Sequence, residues 1–117
     1  MRFASQNLEG TLDEVRAKRF SNVGFLSIKA LEQTIEACAA KEGLHFHDHP
    51  RSAHKGRRDW VRTNHPDLLK AWDELWIIYG ILGYAGTDGK RAEMAVKTLK
   101  KTISELARRE GIRVSEL

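Results

Sequence analysis

The apolar residues between Pro66 and Leu82 repeat with the period of an α-helix. At 3.6 residues per turn, seven large apolar side chains fall on one broad face. They are Leu68, Leu69, Trp72, Leu75, Trp76, Tyr79 and Leu82. Pro66 suits the first helical position, where its missing N–H would have no partner within the helix. Asn64 or His65 would precede it as the N-cap. The pattern therefore predicts a helix over 66–82 that buries this face in a core.

The second half of this helix is apolar on the opposite side as well. Ile77, Ile78 and Ile81 lie where a surface helix would carry polar residues. A helix with apolar residues all round is buried on two sides, by another helix of the chain or by the same helix of a second copy. We therefore expect these isoleucines to form the interface of a homodimer.

Three further segments have helical apolar spacing, and Pro50 can open a short helix whose only sizeable apolar residues are Trp60 and Val61. The alternation that is typical of strands is almost absent. The five predicted helices span residues 5–18, 23–41, 50–62, 66–82 and 90–109. The second is rich in alanine on both sides, so it should pack closely against the fourth. Gly43 and Gly111 are expected to end helices, and the third helix should be interrupted or bent near Gly56. The sequence thus predicts one all-α domain over residues 1–117, a four-to-five-helix up-and-down bundle.

Composition indicates in which cellular compartment the protein lies and what kind of partner it binds. The 117-residue chain has no run of about 18 apolar residues, so we expect no membrane span. Its start lacks the apolar core of a signal peptide, and its one cysteine, Cys38, fits a reducing cytoplasm. Cys38 lies on the apolar side of its helix, which is typical of a buried small hydrophobe rather than a nucleophile. The net charge of +4 favours a polyanionic partner.

Several sequence features at the joints between helices carry a family resemblance. LSIKALEQTIEACAAKEGLHF is rich in small residues and ends in a turn with glycine, and LLKAWDELWIIYGILGYAG ends in a tyrosine–glycine turn. The long charged helix KRAEMAVKTLKKTISEL follows. In these features the chain, from about Val23 to Leu106, resembles the HEPN family of small helical bundles. The resemblance implies a dimer packed through its central helices, nucleotide or RNA as the ligand, and a nucleotidyltransferase as a possible partner in a toxin–antitoxin-type system.

RNA-cleaving members of that family carry an arginine, followed a few residues later by a histidine, before the tyrosine–glycine turn. The corresponding residues 79–84, YGILGY, include neither type, so the resemblance implies a non-catalytic member. A pair with similar spacing, Arg58 and His65, precedes the fourth helix instead. A histidine could take the 2′-hydroxyl proton while the arginine stabilises the phosphorane. The alternative is therefore a metal-independent endoribonuclease that uses these two residues.

The segment from His45 to His65 contains all five histidines and five basic residues against two acidic ones. The residues that could contact phosphates are Arg51, Lys55, Arg57, Arg58 and Arg62. Trp60 lies among them and could stack on a base. The alternative for this segment is a solvated basic face with a tryptophan that belongs to the core.

Three of the histidines form the pattern His-x-His-x-His. In an extended segment His45, His47 and His49 would face the same way and could converge on a transition metal. The alternative is a polar surface loop without a metal. The glycine-rich GYAGTDGK has neither the preceding strand nor the spacing of a phosphate-binding loop, so we expect no cofactor.

Taken together, the sequence favours a cytoplasmic, HEPN-like homodimer that binds nucleotide or RNA and is not itself catalytic. Besides the endoribonuclease, a second alternative stays open. It is a protein–protein interaction module without a nucleic-acid ligand, which recruits its partner through an apolar face.

Overall fold

A computed structural model describes residues 3–16, 20–85 and 89–113 of the chain. Its helices are α1 (Phe3–Arg16), α2 (Phe20–Ala40), α3 (Ala53–Asn64), α4 (Leu69–Ala85) and α5 (Gly89–Glu110). Short 3₁₀ turns at Phe46–Asp48 and Pro66–Leu68 precede α3 and α4. The described residues contain no strand, and the predicted all-α bundle is confirmed. None of the described helices combines the length and the continuous apolar surface of a membrane span.

The centre of the bundle is α2. Within the described part of the chain it packs against each of the other four helices, most extensively against α1, α4 and α5. Ala30 and Ala39 have no exposed surface, and a Cβ atom added to Gly10 of α1 would lie 3.3 Å from Leu26 Cδ1. Small residues therefore let the neighbouring helices approach α2 closely. The prediction that this alanine-rich helix packs centrally against the tryptophan-rich one is confirmed.

Both predicted glycine stops are confirmed. Gly43 follows α2 with φ of 77° and Gly111 follows α5 with φ of 67°, a left-handed conformation that side chains with a Cβ atom rarely adopt. In each case the next residue donates its N–H back to the last turn of the helix, from Leu44 to the Ala39 carbonyl and from Ile112 to the Ala107 carbonyl. These bonds satisfy carbonyls that the helix leaves free. Thr87 and Asp88, the sequence candidates for capping α5, lie outside the described residues.

The connection between α3 and α4 differs from the prediction. Asn64 is the last residue of α3, and its Nδ2 donates to the Trp60 carbonyl at 2.9 Å, so its assignment as an N-cap is wrong. His65 occupies the cap position but makes no side-chain capping bond. Pro66 then opens a 3₁₀ turn, and regular α-helix begins only at Leu69. The reason is that α3 runs to Asn64, two residues beyond its predicted end at Arg62.

Ile77 and Ile78, two of the three α4 isoleucines predicted to form a dimer interface, differ in their surroundings. Ile77 is 63% exposed, whereas Ile78 is partly buried against Ala92 and Val96 of α5. The side chain of Ile81 lies outside what the structure describes. Ile78 therefore packs within a single chain against α5, and its place in a dimer interface stays a prediction.

The predicted break at Gly56 is also wrong, since α3 runs unbroken from Ala53 to Asn64. A Cβ atom added to Gly56 would lie 2.7 Å from Cδ1 and 3.2 Å from Cε1 of Phe46. The Phe46 ring packs against the core from the 3₁₀ turn that precedes α3. The glycine is thus a packing requirement, because the ring occupies the space that a methyl group would need.

We predict that Gly56→Ala destabilises the protein although alanine is the better helix former. Overpacking costs about 1–3 kcal/mol, which exceeds the roughly 1 kcal/mol gained from helix propensity. Urea unfolding should therefore show a lower free energy for Gly56→Ala. In the background of Phe46→Ala the same change should be stabilising, because no ring is left to displace. A stabilised Gly56→Ala single variant would show that the ring does not restrict this position.

Candidate nucleic-acid interface

Four of the five basic residues predicted to contact phosphates are paired with carboxylates of the same chain. Lys55 donates to Asp59 at 2.7 Å, and Arg62 lies 3.1 Å from the other oxygen of that carboxylate. The Lys55 hydrogen bond is the main cause that lowers the pKa of Asp59. Arg51 is exposed and makes no hydrogen bond or ion pair within the described ranges.

Arg57 has the least exposed side chain of the four paired basic residues. Its side chain is only 12% exposed, and its Nε donates to Glu36 at 3.0 Å. Its Nη1 donates to Glu32, so two carboxylates of α2 hold one guanidinium of α3. All of these groups are largely removed from water. Arg57 therefore joins two helices and is not available to a phosphate.

Arg58 makes a bidentate pair with Asp73 of α4. Its Nε and Nη2 donate to the two carboxylate oxygens at 3.1 and 3.0 Å. Parallel bonds of this kind combine charge with fixed geometry. They raise the pKa of Arg58 and lower that of Asp73. The pair connects α3 to α4. It also occupies the guanidinium that was predicted to contact phosphate or to stabilise a phosphorane.

The expectation that Trp60 stacks on a base is wrong. Its side chain belongs to the main core cluster, and the residue is only 4% exposed. A base cannot reach a ring that is covered by other side chains. The alternative for this residue, a core tryptophan within a basic segment, is confirmed.

His65 joins the ends of three helices. The residue is 8% exposed, and its Nε2 lies 3.0 Å from Oε1 of Glu110, at the end of α5. Its Nδ1 lies 3.4 Å from Nη1 of Arg109. Because a guanidinium can only donate, Nδ1 is the acceptor and Nε2 carries the proton directed at Glu110. Lys41, just after α2, donates to the carbonyl and to the carboxylate of the same Glu110.

The predicted catalytic pair is therefore not assembled. Arg58 contacts Asp73, while both ring nitrogens of His65 have other partners. No contact joins Arg58 and His65 in the described part of the chain. A general base needs a free nitrogen within hydrogen-bonding reach of the substrate hydroxyl. This arrangement offers none at His65.

The His-x-His-x-His segment is not extended, so the premise for its convergence on a metal is wrong. Residues 46–48 form a 3₁₀ turn, and alternate side chains of such a turn do not share a face. His47 Nδ1 lies 2.9 Å from Glu36, and this hydrogen bond is the main cause that raises the pKa of His47. The His45 and His47 rings meet edge to face, with centroids 5.8 Å apart. The described residues include no group of three histidine, cysteine or acidic side chains arranged to hold a metal.

Cys38 is fully buried in the core, as expected of a small hydrophobe. Burial raises the pKa of its thiol to about 12. The thiolate, which is the nucleophilic form, is therefore scarce at neutral pH. The role of this residue is therefore to pack in the core.

A group of basic residues without ion pairs to described residues lies on α5. That helix contains seven basic and three acidic residues, a formal charge of +4 that equals the net charge of the whole chain. Lys97, Lys100 and Lys101 are exposed and make no hydrogen bond or ion pair with a described residue. Sequence reasoning placed the interface on α3 because basic residues are densest there. One signal was missed. Glu105 lies four residues after Lys101 and could pair with it, but Glu105 accepts hydrogen bonds from Arg108 and Arg109 instead.

A groove of about 550 Å³ runs between α4 and α5. Its walls include Lys70, Ala71 and Glu74 from α4, and Lys97, Thr98 and Lys101 from α5. Lys100 is not among the lining residues. The groove therefore places Lys97 and Lys101, two of the exposed α5 lysines without an ion pair to a described residue, beside a concave surface.

An ion-pair network on Arg109 lines one end of the groove. Its Nη1 and Nη2 donate to the two oxygens of Asp67 at 2.8 and 2.5 Å, and its Nε donates to Glu105 at 2.9 Å. Hydrogen bonds from Arg109 lower the pKa of Asp67 to about 2, and those from Arg108 and Arg109 lower the pKa of Glu105 to about 2. Both carboxylates in this end of the groove are thus already neutralised by arginine.

We predict that Asp67→Asn lowers the free energy of unfolding at neutral pH and that the difference from wild type disappears in acid. The pKa of Asp67 falls from 3.8 to about 2 on folding. Its contribution is therefore complete above the unfolded value and is lost as the pH falls towards 2. Urea unfolding between pH 7 and pH 2 measures this. Glu42→Gln, at an exposed carboxylate without an ion pair in the described ranges, controls for the lost charge. A difference that stays constant down to pH 2 would contradict the prediction.

The chain was compared with protein-family models, with curated proteins and with solved structures, and none of these comparisons found a match. The likeness to HEPN proteins stays a prediction from sequence patterning. The geometry of the described residues therefore carries the functional conclusion.

Proposed function

We propose that this protein is a non-catalytic, HEPN-like cytoplasmic homodimer that binds RNA or nucleotide through the outer face of α5. The observation that carries the proposal is the distribution of unpaired charge. Lys97, Lys100 and Lys101 present three exposed ammonium groups along less than two turns of one helix. A nucleotidyltransferase, implied by the sequence resemblance, is the proposed protein partner.

Unpaired lysines favour a phosphate ligand for an energetic reason. A cation already bonded to a carboxylate must give up that bond before it binds a phosphate, so the exchange yields little net free energy. This applies to Arg57 and Arg58, which are held by Glu32, Glu36 and Asp73. An exposed lysine without such a partner gives up only water and gains the entropy of the counterions that the nucleic acid releases.

The proposal that the protein is non-catalytic is supported because the candidate catalytic side chains are bonded to other residues or buried. Arg58 is bonded to Asp73, and His65 is bonded to Glu110 and Arg109. Cys38 is buried with a raised thiol pKa. Binding without cleavage is the function that these contacts support best.

We predict that RNA affinity falls with salt and that the lysines of α5 determine the dependence. Each contact with a single-stranded phosphate contributes roughly 0.7 to the slope of log affinity against log salt, so three contacts give about 2. The triple variant Lys97→Ala, Lys100→Ala and Lys101→Ala should lose most of that slope together with affinity. Fluorescence anisotropy of a labelled oligoribonucleotide over a range of salt concentrations measures both quantities.

The matched control removes the same charge from the surface that the sequence had favoured. Arg51→Ala, Lys55→Ala and Arg62→Ala also change the net charge by −3, and all three residues are exposed. This control should keep most of the affinity and the slope. If instead the control loses binding and the α5 variant keeps it, the interface lies on α3 and the proposal is wrong.

We predict that dimer formation depends on Ile77. The residue is 63% exposed on α4, so a charge there is tolerated by the single chain. Ile77→Glu should give a helical monomer by sedimentation velocity and circular dichroism, while Thr63→Glu on exposed α3 should leave the dimer intact. A wild-type protein that sediments as a monomer at tens of micromolar would exclude the dimer.

A further inference from the structure

We infer that the groove between α4 and α5 seats a single-stranded RNA segment and discriminates against a duplex. This deepens the proposed function, because it assigns a ligand class to the surface that carries the unpaired lysines. It rests on the shape of the groove, on the charges of its walls and on one exposed apolar side chain.

The groove has the size of a ligand-binding site. Its volume of about 550 Å³ falls within the range of roughly 300–1,000 Å³ that is typical of pockets for small ligands. Ala71, Thr98 and Thr102 line it with small side chains, so the two helices leave a furrow where larger residues would close it. A single-stranded backbone can follow such a furrow, and the preference over a duplex rests on an apolar contact with an unpaired base.

The charge of the walls suits a sugar–phosphate backbone. Lys97 and Lys101 are one turn apart on α5, and both line the groove. Of the acidic lining residues, Asp67 and Glu105 are bonded to Arg109, and Glu74 lies 4.0 Å from Lys70. The two α5 lysines therefore provide the uncompensated charge along the furrow.

Met94 places an exposed apolar side chain on the same side of α5, outside the residues that line the groove. It precedes Lys97 by three residues and Lys101 by seven, which places all three on one side of the helix. Its side chain is 53% exposed. A flexible thioether can pack on the face of an unpaired base. The bases of a duplex are stacked on one another, so their faces are not available for this contact.

The test compares one oligoribonucleotide as a single strand and as a duplex of equal length, by anisotropy at fixed salt. Wild type should bind the single strand at least about tenfold more tightly. Ala71→Phe fills the furrow without changing charge and should weaken single-strand binding about tenfold. It should leave duplex binding within about twofold. Thr63→Phe, on the exposed face of α3, adds the same bulk elsewhere and should change neither affinity.

A second variant keeps the inference testable if Ala71→Phe does not fold, as judged by circular dichroism. Met94→Ser lies on the surface and should weaken single-strand binding several-fold with an unchanged salt slope. Equal affinity of wild type for both forms, or full single-strand affinity in Ala71→Phe and Met94→Ser, would overturn the inference and leave the proposed function standing. Binding of an acidic peptide to wild type without any binding of RNA would overturn both.

Discussion

The position of α3 depends on the largely buried guanidinium of Arg57. Arg57 is 12% exposed and is held between Glu32 and Glu36, which are 15% exposed. The helix contributes few buried apolar residues of its own, namely Ala53, Trp60 and Val61. Loss of one partner of such a pair leaves an uncompensated charge in a poorly solvated place, so the contact resists separation. The pair, together with Arg58 and Asp73, fixes the helix against α2 and α4.

The same ion pairs determine which surfaces of the protein keep positive charge for an anionic ligand. Because the cations of α3 are bonded to acidic residues of neighbouring helices, a segment that looks basic in the sequence is largely neutralised in the fold. On α5 the arginines of the last turn neutralise Glu105, and the lysines further back keep their charge for the solvent. A surface for anions is therefore defined by what the acidic residues have already bound, as much as by the number of basic residues.

Much of the fold could be predicted from the sequence, because its signals are local. Apolar spacing identified four of the five helices, and Gly43 and Gly111 marked helix ends because a left-handed residue is needed there. Gly56 misled the prediction, since its cause is the ring of Phe46, ten residues earlier and on another element. A glycine that serves a backbone conformation and one that makes room for a side chain look the same in a sequence.

The candidate site was less predictable for a related reason. The pair Lys55–Asp59 is visible as an i, i+4 spacing, but the partners of Arg57 and Arg58 are 15 to 25 residues away in the chain. Burial of Trp60 likewise depends on helices that a sequence window does not include. Charge density along the sequence therefore indicated the type of ligand, while the surface that could receive it required the packing of the helices.

The junction at Glu110 bears on the order in which the chain folds. Its bonds to Lys41 and His65 span 69 and 45 residues, whereas the α1–α2 and α4–α5 pairs consist of helices adjacent in the chain. Closing long loops costs more entropy and gains nothing until both ends meet, so adjacent helices pair first. Interactions that are absent from the transition state act mainly on the rate of unfolding. If the junction closes late, its contacts slow the opening of the folded bundle more than they speed its formation.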